Sequence, residues 1–296
     1  MPWGSGFVSD RERGDVVSES IVAFLQRHAA DFHHLFVSWQ PKDRGKLDAT
    51  GYFAAYDDLF ARIGSDYPVR ALHHTALNLG ALEPYDRGAI LELTGALVER
   101  YGFAWVNEDV GLWSIHGKPL PYPLAPYLNL AGLRAAVANV RGVQSALAVP
   151  LLIEFPGFSD GTALRIGRLH AYDFFRMLAD EADVAVTLDT GHLLSYQWLL
   201  GRRGQDLLAE LERLPLERVF EIHLSGCALE EGRFHDRHDG VLLDTQLDLL
   251  AELIRLCPNT RAITYEDPAF HATGEVLLET RSSLEALVKS SRQWRP

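Results

Sequence analysis

A regular alternation of short apolar runs with longer amphipathic segments is the feature that most constrains how this chain can fold. Runs rich in β-branched and aromatic residues predict strands at 6–9, 32–38, 69–73, 103–107, 150–155, 184–189, 218–224 and 261–266. Segments of helical period predict helices at 15–29, 50–63, 87–101, 128–147, 168–179, 197–213, 244–256 and 275–290. Such strand–helix units in series favour an α/β fold, a closed (β/α)₈ TIM-type barrel, with an open doubly wound sheet as the second choice.

The domain organisation follows from the even composition of the chain. No Ser/Gly linker, repeat or low-complexity tract divides it, so residues 1–296 are predicted to form a single TIM-barrel domain. Two irregular segments, 109–127 and 228–240, are predicted to be long loops beyond the C-terminal ends of strands. Because active sites of this fold lie at that end of the barrel, the first loop is a candidate lid or peptide-contact surface.

Charge and cysteine content exclude several classes of partner and site. Lys and Arg number 28 against 40 Asp and Glu, and the net charge of −12 argues against nucleic-acid and anionic-membrane binding. Two cysteines are too few for a disulfide framework or a cysteine metal cage. The longest clean apolar run, 146–153, is too short to cross a membrane, and residues 1–5 lack the features of a signal peptide. We therefore expect a cytoplasmic protein.

Ionisable side chains stand at or just beyond the C-terminal ends of six consecutive predicted strands. They are His73, His74, Glu108, Asp109, Glu154, Asp189, His192, His223, Asp236, His238, Glu266 and Asp267. Since the C-terminal ends of parallel barrel strands meet at one rim, most of these side chains should lie close together. His74 is the weaker candidate of the first pair, because neighbouring strand residues face opposite sides.

Carboxylates packed in this way must be protonated, paired with cations or bound to metal. Arg237 is the one basic residue beside them in the sequence. Imidazoles interleaved with carboxylates form the N/O ligand set that zinc, iron and manganese accept. A single strand-end Asp is more often a helix cap, and Asp189 could only orient the next turn, but the whole series predicts metal. The surplus of ligands predicts two or three ions, with paired ions about 3.5–4 Å apart.

Other catalytic motifs are poorly represented. The chain has no Gly-x-x-x-x-Gly-Lys phosphate loop and no Gly-x-Ser-x-Gly nucleophile elbow. Cys227 lies four residues beyond His223 and is either a thiol near the metal centre or a buried packing residue.

Several segments at these strand ends are similar to those of one enzyme family. Segment 73–80 (HHTALNLG) resembles the His-Gly-x-x-Leu-Ser-x-Gly segment of the multinuclear non-haem iron-dependent oxidative enzymes, which include the iron enzyme of methanobactin biosynthesis. Segments 106–109 (VNED) and 119–122 (PLPY) resemble that family's Ser-Glu-His-Leu and Leu-Pro-Leu-Pro-Tyr elements. The remaining matches follow in order at 150–154, 188–192, 222–226, 236–238 and 265–267.

The resemblance implies a TIM-like barrel within the xylose isomerase-like superfamily that holds two or three irons. Members use O₂ to oxidise cysteine or other side chains of ribosomally made peptides, often with a separate partner protein that binds the precursor. By position it implies as metal ligands His73, Glu154, Asp189, His192, His223, Asp236, His238 and Glu266. Asp109 stands where the family usually has a histidine and is retained as a ninth ligand, and Cys227 also replaces a common histidine.

The same order of ligands resembles the wider endonuclease IV and xylose isomerase-like superfamily. These barrels use zinc, manganese or magnesium for hydrolysis or isomerisation. The negative net charge argues against DNA repair, which leaves a zinc- or manganese-dependent hydrolase or sugar isomerase as the alternative function. A binding scaffold with a structural metal ranks third, because structural sites tend to be closed and saturated.

Overall fold

Strands buried on both faces form the centre of the computed structural model, which describes residues 3–8, 19–39, 49–158, 164–239, 241–266 and 282–287. The strands are β1 (Trp3–Val8), β2 (His34–Trp39), β3 (Val69–His74), β4 (Trp105–Asp109), β5 (Leu112–Ile115), β6 (Lys118–Leu124), β7 (Leu151–Glu154), β8 (Ala185–Asp189), β9 (Val219–Ser225), β10 (Cys227–Glu230), β11 (Arg233–Asp236) and β12 (Ala262–Glu266). The helices are α1 (Glu19–Arg27), α2 (Ala49–Ile63), α3 (Gly88–Tyr101), α4 (Leu130–Ala146), α5 (Ala171–Ala182), α6 (Thr190–Leu199) and α7 (Asp244–Leu256), and residues 282–287 are also helical.

The parallel strands close into a barrel, which confirms the predicted fold class and excludes the open sheet. Their order around the barrel is β1, β2, β3, β4, β7, β8, β9 and β12, and β12 returns to β1. Gly4 of β1 is in register with both His34 of β2 and Thr264 of β12. The predicted helices 15–29 and 275–290, strand 6–9 and Asp267 lie partly or wholly outside the described residues.

Two antiparallel hairpins replace the predicted loops. Strands β5 and β6 pair within 109–127, and strands β10 and β11 pair across most of 228–240, so the loop prediction was wrong at both places. Each hairpin turns through two residues of positive φ, His116–Gly117 and Glu231–Gly232. Such turns match the twist of the strands but are usually signalled by Asn-Gly or Asp-Gly. The prolines at alternate positions of β6 also argue against a strand at the sequence level, because proline has no N–H to donate to a neighbouring strand.

The helix predicted at 197–213 was also wrong. Helix α6 begins directly after β8, because the Asp189 side chain caps it by accepting the His192 amide at 2.8 Å. It ends near Gly201, whose φ is +85°. Short 3₁₀ turns then follow at Gly204–Leu208, Leu211–Arg213 and Leu216–Arg218. Since α6 is buried on nearly all sides, it lacks the one-sided apolar stripe that marks a surface helix.

Two apolar clusters surround and fill the barrel. The larger cluster joins the outer faces of the strands to the helices. The smaller cluster consists of residues from barrel strands alone, namely Phe36, Ala71, Trp105, Leu152 and Ala262. Side chains fill this part of the interior, so the place for a solvent-accessible site is the C-terminal ends of the strands. Among the described helices, none combines the length and the apolarity needed to cross a bilayer.

Close backbone packing at the start of α4 gives a test of the fold. A Cβ added at Gly132 would lie 2.1 Å from the carbonyl oxygen of Tyr127, whereas one added at Gly142 meets no described atom within 4 Å. We expect Gly132→Ala to lower the free energy of unfolding by ~1–3 kcal/mol, because the backbone must shift. We expect Gly142→Ala to raise it by ~0.5–1 kcal/mol, the usual gain for alanine inside a helix. Urea unfolding of both variants checks this, and equal effects would contradict the packing described.

Candidate metal centre

The strand register brings several predicted rim residues side by side at the C-terminal end of the barrel. His73 of β3 is in register with Asn107 of β4, Asp109 of β4 with Glu154 of β7, and Asp189 of β8 with His223 of β9. Because side chains alternate along a strand, in-register neighbours on the inward face point at the same volume. The rim is therefore built by regular strand geometry.

All nine predicted residues lie together there: eight of them form three groups, two of which share a residue, and the ninth, Glu266, contacts two of the groups. In each group the ligand atoms lie within 4.8 Å of one another. The groups are His73 with Asp109 and Glu154, Glu154 with Asp189 and His223, and His192 with Asp236 and His238. Glu266 joins the second and third groups, since its two oxygens lie 3.2 Å from His223 Nδ1 and 3.1 Å from His238 Nε2. We refer to these nine residues as the rim cluster.

Glu154 is the residue that two groups share. Its Oε2 lies 3.6 Å from His73 Nε2 and 3.2 Å from His223 Nδ1. The Asn107 amide donates to the same oxygen at 2.5 Å, which fixes the carboxylate between the two histidines. The Glu154 side chain is almost wholly buried and lies between the two groups of ligand atoms that share it.

Helix α6 presents Asp189 and His192 on one rigid turn. His192 Nδ1 lies 2.7 Å from the Phe155 carbonyl oxygen, so this nitrogen carries the proton and donates it. Its Nε2 lies 3.1 Å from Asp236 Oδ2, to which it donates when the ring is protonated, and this is the nitrogen left to bind a metal ion once that proton leaves. Asp189 uses Oδ1 for the helix cap and for the Ser225 hydroxyl, which leaves Oδ2 facing the cluster. Asp189 therefore both caps α6 and belongs to the rim cluster.

Burial and mutual charge shift the pKa values of the rim histidines upward. Desolvation alone would lower them, but the facing carboxylates outweigh it and raise the pKa of His73 moderately and those of His192, His223 and His238 well above the ordinary value. The principal opposing charges are Glu154 for His223 and Asp236 for His238. In the absence of metal, imidazolium groups thus balance part of the negative charge.

The carboxylates divide into two classes. Burial raises the pKa of Asp109 to about 7 and that of Asp189 to about 6, in both cases with help from neighbouring carboxylates. Burial acts in the same direction on Glu154, Asp236 and Glu266, but their histidine partners outweigh it and lower those pKa values. Such widely divergent values within one buried cluster are typical of functional sites.

Two buried carboxylate oxygens indicate that the cluster fits metal ions. Among the described residues, Asp109 Oδ1 and Asp189 Oδ2 have no hydrogen-bond partner although both are buried. A buried carboxylate oxygen without a donor is costly, and a cation removes that cost. Arg237 does not supply the charge, because it pairs with Glu230 outside the cluster. The donors are therefore of the right kind, and spatially close enough, to hold a metal ion.

Two of the other rim candidates serve the scaffold. His74 Nε2 lies 2.9 Å from Thr94 Oγ1, as expected for a side chain on the opposite face of β3. Glu108 accepts the backbone amides of residues 76–78 at 2.7–3.1 Å and so orders the chain after β3. Cys227 is buried, with its Sγ 4.0 Å from Asp236 Oδ1, so it is both a packing residue and a neighbour of the cluster.

Sequence reasoning missed two polar residues that contact the rim cluster. Asn107 holds Glu154, and Glu221 lies one layer deeper, 3.4 Å from His223 Nε2. The available signal was the two-residue period of the strands: Asn107 precedes Asp109, and Glu221 precedes His223, by two positions on the inward face.

Comparison with known proteins gives the family. A family model described as "RiPP precursor modification enzyme MbnB/TglH/ChrH", where RiPP denotes a ribosomally made and then modified peptide, matches residues 49–287. A UPF0276 protein of Anaeromyxobacter sp. strain Fw109-5 is 28% identical over 228 residues, covering 76% of this chain and 77% of that protein. A UPF0276 protein of Bordetella parapertussis strain 12822 is 27% identical over 261 residues, covering 84% of this chain and 87% of the relative.

Solved structures match the barrel as a whole. A xylose isomerase domain protein from Alicyclobacillus acidocaldarius has a TM-score of 0.57 at 16% identity, covering 97% of this chain and 98% of that one. A D-psicose 3-epimerase solved with D-fructose has a TM-score of 0.56 at 12% identity, covering 99% and 98%. At these identities the likeness establishes the xylose isomerase-like TIM-barrel fold alone. Because the family model spans the chain from α2 to the helix at 282–287, this protein belongs to the MbnB/TglH/ChrH family of RiPP precursor modification enzymes.

Proposed function

We propose that this protein is a cytoplasmic, single-domain, non-haem iron oxidoreductase that uses O₂ to oxidise a cysteine or another side chain of a ribosomally made peptide. The observation that carries the proposal is the rim cluster itself, in which Glu154 is shared by two groups of ligand atoms. Membership of a family of RiPP-modifying enzymes supports a peptide as the substrate. Two unpaired cysteines fit a reducing compartment.

The composition of the groups favours iron, in two or three ions. His192, Asp236 and His238 form a two-histidine, one-carboxylate set, the kind that holds non-haem Fe(II) with positions left open for other ligands. His73, Asp109 and Glu154 form a harder set with two carboxylates, which suits a ferric ion. Aspartate at 109, where the family usually has histidine, adds to that hardness. Zinc and manganese accept the same donors and are the alternative occupants.

Exposure within the cluster indicates where a peptide approaches. The side chain of His238 is 33% exposed and that of His73 is 12% exposed, whereas Glu154 and His223 are essentially buried. The third group therefore faces the solvent side of the barrel end, and the shared carboxylate lies beneath it. Iron bound there would activate O₂ and accept electrons from the substrate side chain, with O₂ as the oxidant.

Protein residues then have three tasks in this reaction. The rim carboxylates and imidazoles hold the ions, Asn107 keeps Glu154 oriented through its amide, and the apolar residues below keep water out of the barrel. The β5–β6 hairpin is the proposed peptide-contact surface. It is anchored to the chain after β3 by Asn78, whose Oδ1 accepts the Trp113 amide at 2.7 Å and whose Nδ2 donates to Ser114 Oγ at 3.0 Å. A separate precursor-binding protein is the proposed partner, and neither nucleic acid nor membrane is.

Substitution of the shared carboxylate tests the metal centre. Glu154→Gln should lose most of the bound iron, because one change removes a ligand from two groups, and turnover should fall by ~100-fold or more. Glu83→Gln is the matched control, since Glu83 accepts the His116 amide outside the rim cluster. Iron per chain is measured on protein loaded with Fe(II) without oxygen. Equal iron content in the two variants would refute the assigned site.

Metal affinity should depend on pH in a defined direction. The raised pKa values of His192, His223 and His238 mean that protons occupy these nitrogens at neutral pH and must leave when metal binds. We expect apparent Co²⁺ affinity to rise steadily from about pH 6 to about pH 8, with protons released on binding. Calorimetry in buffers of different ionisation enthalpy measures the release. An affinity that is flat over this range would contradict the protonation described.

The stability of the metal-free protein should change in the complementary direction. A histidine with a raised pKa contributes stability that is complete below its unfolded pKa of about 6.5 and is lost as pH rises through the folded value. Glu154 and Asp236, with lowered pKa values, contribute stability above about pH 4 that is lost as pH falls. The metal-free protein should therefore unfold most easily in acid and again in mild alkali. Urea midpoints across pH, with and without metal, check this.

An O₂-dependent mass change tests the reaction. Iron-loaded protein should alter the mass of cysteine-containing precursor peptides encoded beside its gene, and only when O₂ is present. The control reaction uses the same peptides with each cysteine replaced by serine. O₂-independent turnover of a peptide or a ketohexose by zinc- or manganese-loaded protein would instead establish the hydrolase or isomerase alternative.

A further inference from the structure

A second polar layer lies inside the barrel directly beneath the rim cluster. Glu221 of β9 is fully buried, and its Oε2 accepts the Trp105 Nε1–H at 2.8 Å. Its Oε1 accepts the Thr264 hydroxyl and lies 3.4 Å from His223 Nε2. A carboxylate with no access to water needs several donors, and among the described residues Trp105 and Thr264 donate to it while His223 Nε2 lies within contact distance.

The direction of the hydrogen bonds in this layer can be assigned. The Thr264 hydroxyl has one proton and gives it to Glu221, so it accepts from His34 Nε2, which lies 2.9 Å away. His34 is neutral, because burial lowers its pKa to about 4. A chain of donors therefore runs from His34 through Thr264 and ends on Glu221. His223 Nε2 is the next polar atom beside this carboxylate, 3.4 Å from Oε1, and it has no hydrogen-bond partner of its own among the described residues.

The two nitrogens of His223 face different partners. Nδ1 lies 3.2 Å from both Glu154 and Glu266, inside the rim cluster, whereas Nε2 points down toward Glu221. An imidazole that binds metal through Nδ1 carries its proton on Nε2. That proton points at a carboxylate whose position is set by Trp105 and Thr264.

We propose that Glu221 is a positioning residue that holds the Nε2–H of His223 and so makes Nδ1 of His223 a strong, correctly aimed metal ligand. The inference rests on the proposed metal centre but not on the identity of the substrate. Carboxylate partners of metal-bound histidines orient the ring and raise its basicity. If iron were bound at His223 Nδ1, the negative charge of Glu221 on the far side of the ring would favour the ferric over the ferrous state.

Substitution of Glu221 tests this in two readouts besides activity. Glu221→Gln keeps the volume and an acceptor for Trp105 but removes the charge. We expect Co²⁺ affinity of the metal-free protein to fall about 10- to 100-fold and the midpoint potential of the iron-loaded protein to become more positive. Glu221→Asp, which restores the charge, should return the potential toward that of the wild type. Glu217→Gln, an exposed change just before the same strand, should match the wild type in both measurements.

A measurement on the wild type covers the case in which Glu221→Gln fails to fold. Long-range ¹H–¹⁵N NMR of Zn²⁺-loaded protein should show His223 protonated at Nε2 and coordinated at Nδ1. The opposite tautomer, or unchanged Co²⁺ affinity and potential in folded Glu221→Gln, would overturn the role of Glu221 while leaving the proposed function standing. A wild type that binds neither Co²⁺ nor iron would overturn both.

Discussion

The energetic cost of gathering like charges in one buried volume governs this molecule. Five carboxylates of the rim cluster, with a sixth at Glu221 beneath them, lie at the end of a barrel that admits little water. Such a group is tolerated only if positive charge enters with it. Without metal, the four rim histidines supply part of that charge by holding protons. Bound metal ions would supply it more completely, and the proposed metal centre would therefore link folding, protonation and metal binding.

The barrel brings the carboxylates and histidines of the rim cluster together from different strands, so that their charges offset one another. Each strand brings only one or two polar residues, and their partners come from strands distant in sequence, as Glu154 and His223 illustrate. Because a strand's register fixes the height of every side chain, no loop has to find its conformation for Asp109, Glu154, Asp189 and His223 to meet. The pre-set geometry lowers the entropy lost when a metal binds.

Periodicity in the sequence was sufficient for the barrel and for the residues at its strand ends, because both depend on regular strand geometry. The full set of nine also needed the family resemblance, since His192 lies on α6 and His238 follows β11. His73 and His74 could be told apart by the alternation of β3 alone. The hairpins and α6 were missed for local reasons: the turns at His116–Gly117 and Glu231–Gly232 lack the usual residues, and α6 is apolar on all sides. Glu221 was missed because it lies one layer below the strand ends. Its role depends on contacts with Trp105 and Thr264, which only the closed barrel brings near.

The two hairpins differ in what they contribute to the rim cluster. One side of the barrel end is therefore constrained in sequence and length, and the other is free to vary. Strand β11 ends in Asp236, in register with Cys227, so any change in the length of that hairpin would move a member of the rim cluster. Strands β5 and β6 pair with each other outside the barrel and carry none of the nine residues. Insertions, deletions and proline substitutions can therefore accumulate in β5–β6 without moving the rim cluster. Sequence divergence within the family is therefore expected first in β5–β6, where it changes the proposed peptide-contact surface and leaves the rim cluster as it is.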